Sequence, residues 1–207
     1  MNKILSSKWA KVVVFVLSLI PLLALLWFVY KLDLTANPLE FITHYTGDWT
    51  IRFLMISLSV TPLRIIFNRP AITRFRRMLG LFAFFYGSLH LLTWVGFDRQ
   101  FEIAGMWEDI AKRLYITVGM AGYAAMIPLA ITSTAGWVRR LGFKRWQNLH
   151  KLVYFTAVAG VLHYWWLVKS DLRLPAMYGG ILLVLFGVRV VRKLTQAKKT
   201  RPAVAVS

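Results

Sequence analysis

The chain contains no cysteine, which removes disulfides, thiolate metal sites, iron–sulfur clusters and thiol catalysis together. Any metal must then rest on His, carboxylate or Met. Acidic residues are scarce: eight Asp and Glu stand against 26 Lys and Arg in 207 residues. There is no G-x-G-x-x-G and no Walker-type loop, so neither dinucleotide nor NTP binding has a motif to use. No stretch between apolar runs is long enough to fold as a separate nucleotide or flavoprotein module. What remains is apolar. The hydrophobic fraction is 58% and the mean hydropathy +0.57, beyond what a soluble domain of this length carries.

The net charge of +18 would suit a nucleic-acid binder if it formed one basic face. Instead the basic residues sit in short clusters between apolar blocks, as in cytoplasmic loops of a membrane protein, and no nucleic-acid partner is expected. The blocks cover 12–30, 50–67, 78–97, 114–135, 152–168 and 175–191, each close to the length that spans a hydrocarbon core. The first block follows Lys3, Lys8 and Lys11 like a signal peptide. It outruns a usual signal core and lacks a small-x-small cleavage site, so it reads as an anchor.

With the N-terminus inside, the segments around 1–11, 64–77, 136–151 and 189–207 hold nineteen of the 26 basic residues. The outer segments hold the other seven and all eight carboxylates. That asymmetry sets an N-in, C-in orientation. The expected fold is all-α, a six-transmembrane-helix bundle. Its parts are a cytoplasmic N-terminus over 1–11, a membrane domain over 12–191 and a basic cytoplasmic tail over 192–207.

Four histidines exist: His44, His90, His150 and His163. His90 lies thirteen residues past Arg77, and His163 thirteen past His150, on helices that enter from the same side. At 1.5 Å per residue both reach about 20 Å into the membrane. Two imidazoles at one depth on neighbouring helices can bind one iron from opposite sides, and a porphyrin supplies the four in-plane nitrogens. The plainer reading makes each a helix–helix hydrogen bond, worth about 0.6 kcal/mol. His150 sits at the inner surface, where it suits a second haem, the arrival of electrons, or a solvent-facing role. Thirteen residues turn an ideal helix about 220° past three full turns, so His150 and His163 share a face only if the helix start is irregular. Arg76 and Arg77, with Arg74, could pair propionates or a flavin phosphate, or serve only as the orientation signal. Met78 is a further candidate ligand or simple packing. His44 is expected in an outer loop before the second span.

The motifs His44-Tyr45-Thr46-Gly47, Thr61-Pro62-Leu63, Arg76-Arg77-Met78-Leu79-Gly80-Leu81, Leu89-His90-Leu91, Thr132-Ser133-Thr134, Lys144-Arg145-Trp146-Gln147-Asn148-Leu149-His150 and Leu162-His163-Tyr164 resemble, in order and spacing, a known family. It is the MsrQ (formerly YedZ) family of ferric reductase-like transmembrane proteins. The resemblance covers about residues 8–195. It implies a bacterial inner-membrane subunit carrying haem b, one or two, with FMN as a further cofactor. Electrons would come from a cytoplasmic NAD(P)H-flavin reductase or from quinol. They would go to a periplasmic MsrP-like molybdopterin enzyme that reduces methionine sulfoxide in envelope proteins, so substrate reduction is expected on the partner. The expected haem ligands are His90 and His163, with His150 haem-related. The third helix has one histidine where NADPH oxidases have two, which leaves the partner of His150 open. Two other readings stand beside this: a membrane anchor for an outer enzyme, and a transporter-like scaffold whose histidines have a non-redox role. The latter would call for carboxylates inside the spans, and none is expected.

Overall fold

A computed structural model describes residues 7–168 and 170–199. Residues 200–207 of the expected basic tail and Lys3 of the N-terminal cluster lie outside them. Among the described residues the chain is helical, with no strand. The long helices are α1 (Lys8–Lys31), α2 (Pro38–Ile66), α3 (Arg76–Thr93), α5 (Leu114–Ile131), α8 (Leu152–Leu167) and α9 (Arg173–Lys199). Shorter pieces join them: a 3₁₀ turn at Pro70–Phe75, a π turn at Trp94–Asp98, and helices α4 (Ile103–Lys112), α6 (Ala135–Leu141) and α7 (Phe143–Leu149).

Five segments are long and apolar enough to cross a membrane: α1, α2, Pro70–Asp98 containing α3, α5, and Arg173–Gln196 of α9. The remaining expected span, α8, has 16 residues and reaches about 24 Å, short of a hydrocarbon core of about 30 Å.

Helix boundaries follow local chemistry. Ser7 caps α1 by accepting from the Trp9 N–H at 3.2 Å. Leu32, in the left-handed region at φ 53°, closes it. Asn37 accepts from the Glu40 N–H at 3.3 Å while its amide donates to the Glu40 carboxylate at 3.1 Å, and Pro38 occupies the first helical position. These are strong start signals. They begin α2 twelve residues before the apolar block at 50. Of the polar residues here, Thr43, Asp48 and Thr50 are partly buried along an internal cavity, and His44 lines the same cavity from an exposed position. His44 therefore stands on a helix, not in the outer loop expected for it.

Two antiparallel helix pairs make the body: α2 against α3 and α5 against α8. The α2–α3 register is fixed near both ends, by the Ser57 hydroxyl donating to the Arg76 carbonyl at 3.0 Å and by Thr43 bonding Thr93 at 3.2 Å. The aromatic side chains of Phe53, Phe82 and Tyr86 stack within the first pair. Helix α1 lies against α2 and α3, and α9 against α8 and α2. One end of the bundle carries the basic segments 64–77 and 136–151; the other carries the carboxylates, in its loops, in α4 and in the first turns of α2. The cavity opens between the two pairs.

Candidate functional site

His90 on α3 and His163 on α8 meet across that cavity, ring centres 6.1 Å apart and planes at 80°. Each ring is held from behind by a backbone carbonyl. Nδ1 of His90 bonds the Thr43 carbonyl at 2.9 Å, and Nδ1 of His163 bonds the Tyr115 carbonyl at 2.6 Å. A carbonyl only accepts, so both Nδ1 atoms carry the proton and both Nε2 atoms keep a lone pair. This is the usual support for a metal-binding imidazole. A ligating nitrogen lies about 2 Å from its metal and about 1 Å from its ring centre, so two imidazoles gripping one metal have centres roughly 6 Å apart. The observed spacing matches.

Glycines make the room. A Cβ at Gly47 would lie 3.1 Å from the His90 ring, and one at Gly119 would lie 2.6 Å from Nδ1 of His163. Gly87, Gly122 and Gly160 also line the cavity, so bare backbone from α3, α5 and α8 forms much of its wall. Its volume is about 290 Å³, near the lower bound of small-molecule sites. Among the described residues no three His, Cys, Asp or Glu side chains come together as a metal site. A pair of imidazoles in an apolar slot suits a metal whose other positions are filled by a flat macrocycle, as in haem. The residues present fit that group.

A second polar feature adjoins the slot. Asp48 lines it and accepts from Arg52, one turn on, at 3.2 Å. Arg52 also donates to the Tyr178 hydroxyl at 3.2 Å and lies 4.9 Å from the Trp49 ring centre. An acidic residue within a spanning helix was not expected, and Asp48 corrects that reading. Hydropathy alone puts Asp48 in a loop, because it begins the helix only at the apolar block from 50. The spacing of Asp48 and Arg52, four apart on one helix face, was the available signal. His44 lies on the cavity wall beside Glu40, 3.9 Å away.

His150 is elsewhere. It caps the C-terminus of α7, and the chain turns before α8 begins. The helix start is thus irregular, and the rotation argument does not apply across it. The Thr132 hydroxyl gives its proton to the Pro128 carbonyl at 2.6 Å, so Nε2 of His150 donates to that hydroxyl at 3.0 Å. Trp146 packs on the ring with centres 4.0 Å apart and donates its own N–H to the Thr132 carbonyl at 2.9 Å. Burial, then the nearby charges of Arg76 and Arg77, push His150 down to about 4. The structure thus gathers His150, Arg76 and Arg77 at the basic end and His90 with His163 toward the other. It does not bring the two groups together. Met78 packs against the apolar core.

The ferric reductase like transmembrane component family matches residues 46–161, which contain His90 and His150 and end two residues before His163. A protein of Herminiimonas arsenicoxydans is 50% identical over 182 residues, 87% of this chain and 84% of its own length. One from Rhodospirillum rubrum is 48% identical over 198 residues, 94% of both chains. One from Xanthomonas euvesicatoria is 47% identical over 197 residues, 92% of this chain and 90% of that one. Each is named a protein-methionine-sulfoxide reductase heme-binding subunit, MsrQ. With a paired-imidazole slot between antiparallel helix pairs and near-full-length identity of this order, the chain belongs to the MsrQ family of ferric reductase-like membrane proteins.

Proposed function

We propose that the protein is a transmembrane electron conduit in which His90 and His163 hold a b-type haem. The observation that carries this is the pair of Nδ1-anchored imidazoles at 6.1 Å. Bound haem supplies a one-electron couple that the side chains of this chain lack. The residues do the rest. The Thr43 and Tyr115 carbonyls keep both Nε2 lone pairs aimed inward, Gly47 and Gly119 leave the imidazoles their room, and the apolar walls exclude water.

In this reading the basic end faces the cytoplasm, both termini lie there, and α8 makes the sixth crossing, in the inner membrane of a bacterium. His150 with Arg76 and Arg77 forms the inner site, where a second haem or the phosphate of FMN would meet cations. Electrons arrive there from an NAD(P)H-flavin reductase or a quinol. They leave at the carboxylate-bearing end for a periplasmic molybdopterin enzyme of the MsrP kind, where methionine sulfoxide is reduced. The names of the relatives support a role in that system.

The Asp48–Arg52 pair is the one feature that favours a non-redox scaffold, since charges inside spans mark ion pathways. It is a closed ion pair joined to Tyr178, and no further carboxylate continues it through the bundle among the described residues. The test is optical. Purified protein should show haem absorbance that reduced flavin shifts to the ferrous form, and His90→Ala and His163→Ala should each abolish it. Unchanged spectra in both variants would end the proposal.

A further inference from the structure

The loop between α3 and α5 is built, not slack. Its centre is Asp109, 5% exposed, gripped by Arg99 and by Nε of Arg113, the latter at 3.1 Å. A buried carboxylate between two guanidinium groups fixes α4 to the turn before it and to the start of α5. Two consecutive non-glycine residues, Gln100 at φ 46° and Phe101 at φ 61°, occupy the left-handed region on the way in. Such backbone costs on the order of 1 kcal/mol or more per residue and persists only when its surroundings hold it.

This rigid piece turns an apolar stripe outward. On a 3.6-residue helix Ile103, Trp107 and Ala111 share one face, and Glu108 and Lys112 lie on the other side. Ile103 is 77% and Trp107 72% exposed. Phe101 precedes the stripe and is also exposed. On the polar side Lys112 pairs with Glu108.

The position of the helix names its occupant. It is tied to Arg99, the residue after the spanning segment that ends at Asp98, and to Arg113, the residue before the next, which begins at Leu114. Phe97 and Leu114, at those two ends, are exposed and apolar as well, so the stripe continues the lipid-facing surface of the bundle. A short helix between the adjoining ends of two spanning segments, with Trp and Ile on one face and charge on the other, has the pattern of an interfacial helix.

We propose that α4 lies in the headgroup layer of the leaflet at the carboxylate-bearing end, with Phe101, Ile103 and Trp107 sunk into lipid. Asp98 and Arg113 line the cavity, so the membrane then seats one rim of its mouth. A soluble redox partner reaches the site over the polar edge and past His44, not over the apolar stripe.

Because the chain has no cysteine, single cysteines can be placed and spin-labelled in haem-loaded protein held in phospholipid nanodiscs. Ile103→Cys and Trp107→Cys should collide more with oxygen, which concentrates in lipid, than with a water-soluble nickel chelate. Glu108→Cys and Lys112→Cys should show the reverse. Retained haem absorbance reports folding, and Ile103→Cys alone carries the test if the Trp107 variant is unstable. Nickel dominating at 103 overturns the proposal. So does shielding of 103 from both reagents, which would place the stripe against protein.

Discussion

Tyr86 repairs the first helix at Pro21. Pro21 has no N–H for the Leu17 carbonyl, and its ring pushes that carbonyl aside, opening the helix at the next pair, the Leu22 N–H and the Ser18 carbonyl. The Tyr86 hydroxyl inserts into the gap, accepting from Leu22 at 3.1 Å and donating to Ser18 at 2.9 Å. Tyr86 is fully buried, and no water in a bilayer core could take its place. Tyr86→Phe should strand both backbone groups and cost about 1–3 kcal/mol. Thermal unfolding in detergent measures it; an unchanged midpoint would mean that α1 holds its kink without help.

Gly119 controls the orientation of His163. A methyl group at that position would lie 2.6 Å from Nδ1 and drive the ring off the Tyr115 carbonyl. Gly119→Ala should weaken haem retention about 10- to 100-fold, the range for losing support behind a metal-binding imidazole. Gly187→Ala, on α9, meets nothing within 4 Å and should leave haem content as it is while slightly favouring the helix. Haem quantitation on both variants separates a site effect from a general one.

Asp48 and Arg52 should behave as a coupled unit. Asp48→Asn and Arg52→Gln each leave a polar or charged partner without its counterpart, and the double variant removes both problems together. A double-mutant cycle on unfolding should give a coupling on the order of 1 kcal/mol. Additive effects would show that water or lipid already solvates each group.

The pH dependence has a definite sign at His150. Its folded pKa is depressed to about 4 from 6.5. Above 6.5 both folded and unfolded chains hold it neutral and it contributes no slope. As pH falls from 6.5 toward 4, the unfolded chain takes up a proton that the folded one refuses, so stability declines across that window. His150→Gln should flatten the decline. An equal slope in the variant would assign the acid sensitivity to another group.

Much of this was legible in the residues. Counting from the basic clusters places His90 and His163 at one depth, because α3 and α8 run the same way from the basic end. The start of α2 is hidden from hydropathy, because its first twelve residues are largely polar or aromatic. Thr43, His44 and Asp48 look like loop until a cavity exists for them to face, although Asn37, Pro38 and Glu40 formed a helix start in plain view. The anchors behind the imidazoles had no signature, since Thr43 and Tyr115 contribute carbonyls that any residue carries. Helix α4 is too short to show as a span, and its stripe over 101–111 falls between the apolar blocks 78–97 and 114–135.

His90 belongs to the hairpin of α2 and α3, and His163 to that of α5 and α8. Neither hairpin alone can clasp a metal from both sides. If these two imidazoles hold the haem proposed for them, its capture waits on the meeting of the two halves, and bound haem would rivet them. On that proposal a polypeptide stalled with only its first hairpin inserted would stay colourless, and pigment would report that the two halves have met.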